Sequence, residues 1–83
     1  MGNIHRRNED VYEIIAANIK EARKEAKITQ AELAERSNYS HEFIRRIEAP
    51  NGKKYFSVNT LVKLADALEI RVEELLKGIS DGE

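Results

Sequence analysis

Apolar residues recur at helical spacing in five stretches of the chain, and the alternation typical of strands is weak throughout. The first predicted helix begins near Asp10, whose carboxylate can cap free backbone N–H groups. Asn18 falls on its apolar face by phase. It lies either at the edge of that face with its amide in water, which we favour, or buried with a hydrogen-bond partner. The rest of that face consists of Val11, Ile14, Ile15, Ile19, Ala22 and Ala26. The opposite side carries basic residues, namely Lys20, Arg23, Lys24 and Lys27.

The second predicted helix starts with a capping box. Thr29 and Glu32 are three residues apart, the spacing at which each side chain bonds the other's backbone N–H. This helix ends around Ser37. Asn38 tolerates the left-handed conformation that such an end requires, and Tyr39 is expected to pack against the core.

The third predicted helix extends from Ser40, which can cap it, to Ala49. It stops there because Pro50 cannot continue a helix. Ile44 and Ile47 are three residues apart and therefore face the core together.

The fourth predicted helix opens after Ser57, and a short fifth covers about residues 72–77. The apolar face of the fourth contains Leu61, Leu64, Ala65 and Leu68. The pattern thus predicts an all-α fold of five short helices around one core. We assign residues 1–9 to a flexible arm, 10–78 to the domain and 79–83 to a tail.

Composition limits the class of protein. A chain of 83 residues forms a single small domain, and the absence of cysteine excludes disulfides and thiolate metal sites. The polar N-terminus is unlike a secretory signal, and no apolar run approaches a membrane span, so we expect a cytoplasmic protein. The sequence contains no phosphate loop, metal-ligand spacing or nucleophile–base pair. It therefore favours neither an enzyme nor a site for a metal, cofactor or small-molecule ligand.

Charge is distributed unevenly along the chain. The net charge is −1, yet residues 36–56 contain five basic residues and two acidic ones, a net of +3. The remainder therefore carries −4. Such polarity suits a molecule that presents one face to an anion, although chance clustering on a solvated surface gives the same count.

The order of residue types from Ile28 to Glu48 resembles the Cro and phage-repressor (XRE) type of helix-turn-helix transcriptional regulator. The motif residues are Thr29, Gln30, Leu33, Ala34, Ser40, Ile44, Ile47 and Glu48. Further matches are Ser57, Thr60, Leu61, Leu64, Ala65, Ala67, Leu68, Glu73, Glu74, Leu75 and Leu76, so that the resemblance covers roughly residues 15–77. It implies a lambda-repressor-like domain with the helix-turn-helix at the second and third helices.

Helical phase places four residues on the outer side of the third helix, which is free to enter the major groove of double-stranded DNA: His41, Glu42, Arg45 and Arg46. The resemblance puts base contacts at the same positions. An arginine can bind guanine O6 and N7, and Glu42 can accept from cytosine N4. Alternatively, Arg45 and Arg46 are a solvated surface pair, and Glu42 is repelled by phosphates.

Phosphate contacts are predicted at the two helix starts and in the loop. The resemblance implies that Gln30 contacts a phosphate and braces a base-reading side chain. Ser40 and nearby free N–H groups can hold another phosphate. Lys53, Lys54 and Tyr55 lie in the loop after the motif, where the lysines contact the DNA backbone or only water. Two neighbouring residues are assigned to the fold instead. Phe43 flanks the core, touches a thymine methyl or marks a partner contact, and we favour the first. Glu48 secures helix packing or a nearby arginine.

The chain departs from the family pattern at its turns. Lys27, Asn38 and Glu69 stand where glycine is frequent, so those turns are either left-handed, at some cost, or built differently. Arg71 stands where a capping serine is common, which weakens the start of the fifth helix.

The function predicted from these features is sequence-specific transcriptional regulation, most simply repression by a homodimer on a palindromic operator. Leu76 and Ile79 are candidates for the dimer surface, or they close the core. The alternative is a protein-interaction module that has the same fold without specific DNA binding.

Overall fold

The computed structural model of the protein describes residues 8–50 and 54–79. Its elements, in chain order, are α1 (Asn8–Glu25), α2 (Gln30–Ser37), α3 (His41–Glu48), α4 (Val58–Leu68) and a 3-10 helix (Val72–Leu76). The described residues contain no strand, so the predicted all-α class is confirmed. The fifth helix differs from the prediction, since it is a 3-10 helix, and the described residues contain four α-helices.

The start of α1 also differs from the prediction. The helix begins at Asn8, so Asp10 lies within its first turn instead of capping it. Residues 1–7 of the predicted arm and 80–83 of the predicted tail lie outside the described residues. At its other end α1 stops at Glu25, and Ala26 is exposed instead of lying on the buried face.

Polar caps set the starts of the next three helices, as the sequence predicts. In the capping box of α2, the Glu32 backbone N–H donates to Thr29 Oγ1 at 3.0 Å, and the Thr29 N–H donates to Glu32 Oε1 at 2.7 Å. Ser40 caps α3 and Ser57 caps α4, each accepting from a backbone N–H three residues ahead. These bonds satisfy donors that a helix start leaves free, so local sequence defines the boundaries.

Three turns are left-handed without glycine. Lys27, Asn38 and Glu69 have φ angles of 62°, 65° and 60°. Lys27 and Glu69 each cost about 1–2 kcal/mol relative to a glycine, whereas asparagine tolerates this conformation better. After Asn38 the chain closes a Schellman motif, in which the Tyr39 N–H donates to the Ala34 carbonyl at 2.9 Å. The turns therefore keep the geometry that glycine usually provides.

Every helix contributes to one core. The largest fully buried side chains come one from each element: Ile19, Leu33, Ile44, Leu64 and Leu75. Leu75 lies in the 3-10 helix, which therefore belongs to the core and covers α1 and α4. This packing holds α2 and α3 against a common support.

Asn18 differs from the favoured prediction, because its amide bonds to the protein backbone instead of to water. Its Nδ2 donates to the Leu75 carbonyl at 2.9 Å and to the Lys77 carbonyl at 2.8 Å. Both carbonyls lie at the C-terminal end of the 3-10 helix, where backbone carbonyls have no N–H donor within the helix. Arg71, at the start of that helix, makes no capping bond through its side chain. Asn18 thus stabilises a short helix that its own cap does not.

Candidate nucleic-acid interface

Helix α3 has an inner and an outer side. Ile44 and Ile47 are buried at 0% and 4% relative exposure, which confirms their predicted orientation. The side chains predicted to read bases are all exposed: His41, Glu42, Arg45 and Arg46. Residues three or four positions apart share a helix face, so the structure brings these side chains together on one open surface.

Within this outer face, Glu42 and Arg45 form an ion pair. Arg45 Nη2 donates to Glu42 Oε1, and the two side chains remain 62% and 60% exposed. Exposed pairs of this kind contribute about 0–1 kcal/mol, so each partner can change contacts at little cost. The pair orients a guanidinium at the surface without removing it from solvent.

On the inner side, Glu48 lies in a buried network of hydrogen bonds. Arg23 donates to Glu48 Oε2 through Nε at 2.8 Å and to Oε1 through Nη2 at 3.0 Å. The carboxylate is 1% exposed and the guanidinium side chain 12%. Arg23 Nη1 also donates to the Ile28 carbonyl at 2.8 Å, in the turn before α2. The pair therefore joins α1, this turn and α3.

Gln30 completes this network from the start of α2. Its Nε2 donates to Glu48 Oε1 at 3.0 Å. The side chain that Gln30 braces is thus Glu48, not one of the exposed residues of α3. Because α2 and α3 are joined through Glu48, the two helices of the motif are held at a fixed angle. The predicted phosphate contact of Gln30 stays a prediction.

Arg23 is the residue of this network that the sequence did not reveal, since by phase it belongs with the basic residues on the side of α1 opposite the apolar face. The prediction that Glu48 secures helix packing or a nearby arginine is confirmed. A signal was present, because Glu48 lies four residues after Ile44 and therefore faces inward, where a carboxylate needs a cation. Which cation it meets depends on the packing of α1, 25 residues away in sequence.

The position of Lys54 also differs from the predicted one. Its ammonium donates to the Ala49 carbonyl at the end of α3 and lies 3.4 Å from Glu13 Oε2 of α1. The Lys54 side chain is 1% exposed, so it is buried and not accessible to a phosphate. A phosphate contact by Lys54 therefore does not fit this structure. Lys53 lies outside the described residues.

Two of the other predicted phosphate contacts, Tyr55 and Ser40, are accessible. Tyr55 is 64% exposed and lies edge-on to Tyr12 of α1, with ring centroids 5.4 Å apart. Ser40 is also exposed, and its hydroxyl accepts from the Phe43 N–H. Both residues flank α3, one at each end.

Two aromatic residues secure the start of α3 to the core. Phe43 is half-buried, as predicted, and stacks on Tyr39 with ring centroids 4.6 Å apart. The Tyr39 hydroxyl donates to Thr60 Oγ1 of α4 at 3.0 Å, which confirms the predicted packing of Tyr39. These contacts fix the end of α3 that carries His41 and Glu42.

A helix-turn-helix family model matches residues 19–75, which include both helices of the motif and most of the core. The chain belongs to this helix-turn-helix family of DNA-binding regulators, as its resemblance to Cro and phage repressors predicted. No curated protein matches it in sequence.

The fold is similar to the crystal structure of a hypothetical transcription factor, NHTF, from Neisseria. The TM-score is 0.74 at 20% sequence identity, over 92% of this chain and 85% of the other. At this identity the likeness concerns the fold alone. No helix among the described residues has the length and apolar character needed to cross a bilayer, and no three potential metal ligands cluster there.

Proposed function

We propose that the protein is a sequence-specific transcriptional regulator of the cytoplasm, a repressor or autoregulator that binds a palindromic operator as a homodimer. One observation carries the proposal. Helix α3 presents Arg45 and Arg46 on an open face while a buried network holds its other side rigidly to α1 and α2. A rigid helix with exposed long polar side chains is what reading the major groove requires.

Base contacts in this proposal come from the outer face of α3. Arg45 and Arg46 donate to guanine O6 and N7, each for about 1–3 kcal/mol of discrimination. Glu42 keeps one carboxylate oxygen for orienting Arg45 and accepts from cytosine N4 with the other. His41, in the first turn of α3, contacts a neighbouring base edge.

Phosphate contacts in this proposal flank α3. They come from Gln30 at the start of α2, Ser40 at the start of α3, and Lys53 and Tyr55 in the following loop. Such contacts fix the register of the protein on the duplex and make its affinity fall with salt.

Dimerisation supplies the specificity that one short helix lacks. A single α3 of eight residues reaches only a few base pairs, whereas two copies about 34 Å apart read two half-sites. Leu76 is 38% exposed at the end of the 3-10 helix and is the better candidate for the contact between copies. Ile79 packs against the core and therefore belongs partly to the fold.

Selection of bound duplexes from a random-sequence library tests the proposal. We expect a palindromic site with half-site centres one helical turn apart, and binding that weakens steeply with salt. Arg45→Ala combined with Arg46→Ala should abolish selection. The charge-matched control, Lys20→Ala with Arg71→Ala, removes two exposed cations outside α3 and should retain it.

A protein that is folded yet binds no DNA at about 50 mM salt would overturn the proposal, because phosphate contacts are strongest at low salt. The protein-interaction module would then be the better description. A selected site without two-fold symmetry would contradict the homodimer and leave DNA recognition standing.

A further inference from the structure

The buried ammonium of Lys54 has no part in the function proposed above. The neighbouring Tyr55 is 64% exposed, whereas the Lys54 side chain is 1% exposed. A loop on the surface has therefore turned its cation into the protein. A buried charge is costly unless it is paired and hydrogen-bonded, so its contacts must provide a compensating interaction.

Those contacts join two helices. Lys54 Nζ donates to the carbonyl of Ala49, the residue that ends α3. The same ammonium lies 3.4 Å from Glu13 Oε2, in the N-terminal half of α1. The last carbonyls of a helix lack helical partners and carry partial negative charge, so a cation there is favourable. Lys54 thus satisfies the end of α3 and ties it to α1 at once.

Aromatic contacts hold the Lys54 segment in the same place. The Tyr12 ring lies edge-on to Tyr55 at 5.4 Å and to Phe56 at 5.1 Å between centroids. Tyr12 precedes Glu13 in α1, so one turn of that helix contacts three consecutive loop residues. Residues 54–56 are therefore held against α1 by contacts of three consecutive side chains.

The fixed end of α3 lies next to its two arginines. The Ala49 N–H donates to the Arg45 carbonyl at 3.0 Å, so Ala49 is one turn beyond Arg45. A shift of Ala49 would move the backbone that carries Arg45 and Arg46. A bidentate contact with a base is sensitive to such shifts because both of its hydrogen bonds must align.

We infer that Lys54 is a positioning residue for DNA recognition: its buried ammonium joins the end of α3 to Glu13 of α1 and sets the pose of Arg45 and Arg46 on the bases, without contacting a phosphate. The inference rests on the proposed function. It also explains why a basic loop residue faces inward in a protein that binds an anion.

The test compares Lys54→Met with Lys20→Met, which replaces an exposed lysine of α1. Affinities are measured for the selected operator and for random-sequence duplex over a range of salt. Lys54→Met should reduce discrimination between the two duplexes by about 5- to 150-fold, the equivalent of one disturbed base contact. Its salt slope on random DNA should equal that of the parent, and Lys20→Met should change neither quantity.

Two results of this comparison would overturn the inference. A salt slope shallower by about 0.9 would show that Lys54 neutralises a phosphate. Unchanged discrimination in folded Lys54→Met would show that the contact with Ala49 does not set the pose of the arginines.

Glu13→Gln keeps the inference testable if Lys54→Met does not fold. It removes one partner of the ammonium and leaves the bond to Ala49 in place. We expect a smaller loss of discrimination in the same direction, and an unchanged value would count against the inference.

Hydrogen exchange of the free protein separates this inference from the proposed function. In Lys54→Met or Glu13→Gln, the Ala49 amide should exchange faster, by at most about 100-fold. The Ile19 amide in the core of α1 should keep its rate. Unchanged exchange at Ala49 would refute the join between α3 and α1 whether or not the protein binds DNA. If the parent protein binds no DNA but the exchange difference is present, the proposed function and the recognition role of Lys54 are refuted. The structural link that Lys54 makes between α3 and α1 would still stand.

Discussion

Two pairs of arginine and glutamate involve α3. They have the same chemistry but differ in burial and in the helices that they connect. Glu48 and Arg23 meet at 2.8 Å with side chains 1% and 12% exposed. Glu42 and Arg45 meet with side chains 60% and 62% exposed. The first pair joins α3 to another helix, and the second lies entirely within α3. Burial, not residue type, separates a charge that holds the fold from a charge that can meet a partner.

The difference follows from solvation. Removing one member of a buried pair leaves a charge without water or partner, so neither Arg23 nor Glu48 can exchange its contact for one with DNA. In the exposed pair, water replaces a lost partner, so Arg45 can leave Glu42 for a base at a cost of about 0–1 kcal/mol. The four predictions below test this contrast, beginning with the largest expected effect.

The buried pair should dominate stability. Arg23→Met leaves the Glu48 carboxylate buried without its cation, and we expect a loss of about 3–5 kcal/mol in the free energy of unfolding. Urea denaturation followed by circular dichroism measures it. Arg45→Met, the matched change in the exposed pair, should cost at most about 1 kcal/mol. Equal losses in the two variants would contradict the contrast, and Arg23→Met with Glu48→Leu should recover much of the stability.

The exposed arginines should dominate binding. Arg45→Ala and Arg46→Ala should each weaken operator binding by about 1–3 kcal/mol, because each removes a bidentate base contact. Their free energies of unfolding should stay within about 0.5 kcal/mol of the parent, as for surface substitutions generally. Fluorescence anisotropy with labelled duplex measures the first effect and urea denaturation the second. If a variant loses operator affinity and stability in parallel, the arginine that it replaces contributes to the fold.

Glu42→Gln should act on selectivity. The amide cannot accept as strongly from cytosine N4, so we expect about 1 kcal/mol less preference at one base pair of the operator. Loss of a negative charge near phosphates should raise affinity for random DNA slightly. Competition among single-base operator variants checks the result. An unchanged base preference would restrict Glu42 to its contact with Arg45.

The pair of Arg71 and Glu73, exposed at the 3-10 helix, should matter least. The hydrogen bond from Arg71 is the main cause that lowers the pKa of the Glu73 carboxyl, followed by a backbone hydrogen bond at Glu73 and the charge of Arg71. A lowered pKa in the folded state contributes stability that is present above the unfolded pKa, about 4.3, and is lost as pH falls through the folded pKa. Glu73→Gln should therefore lower the melting temperature slightly at neutral pH, where the contribution is present, and leave it unchanged below the folded pKa, so that the melting temperature depends less on pH. A large effect at neutral pH would break the rule that exposed pairs contribute little.

Local features were predictable from sequence because their partners are neighbours in the chain. The capping box of Thr29 and Glu32 and the cap at Ser40 each close within three residues. The left-handed turn at Asn38 likewise uses carbonyls of the preceding turn. The division of α3 into an inner and an outer side follows from the 3.6-residue period alone.

Features that depend on distant partners were not predictable in the same way. Asn18 finds its acceptors 57 and 59 residues away, and Arg23 finds Glu48 25 residues away. Lys54 is only five residues from Ala49, but its ammonium also lies 3.4 Å from Glu13 of α1, and Tyr12 of α1 contacts the next two residues, Tyr55 and Phe56. For such residues the sequence shows only that the side chain is polar. Tertiary packing decides whether water or protein supplies its hydrogen-bond partners.

The sequence by itself determined where α2, α3 and α4 begin, which side of α3 faces the core, and which four side chains α3 presents outward. Those properties arise from backbone geometry and from contacts within one turn of the chain. Only the tertiary structure decided which charges are withdrawn from solvent, as Glu48 and Lys54 are, and which remain available, as Arg45 is. The physical reason is that solvation of a charge depends on what other elements cover it, and packing brings those elements together from distant parts of the chain.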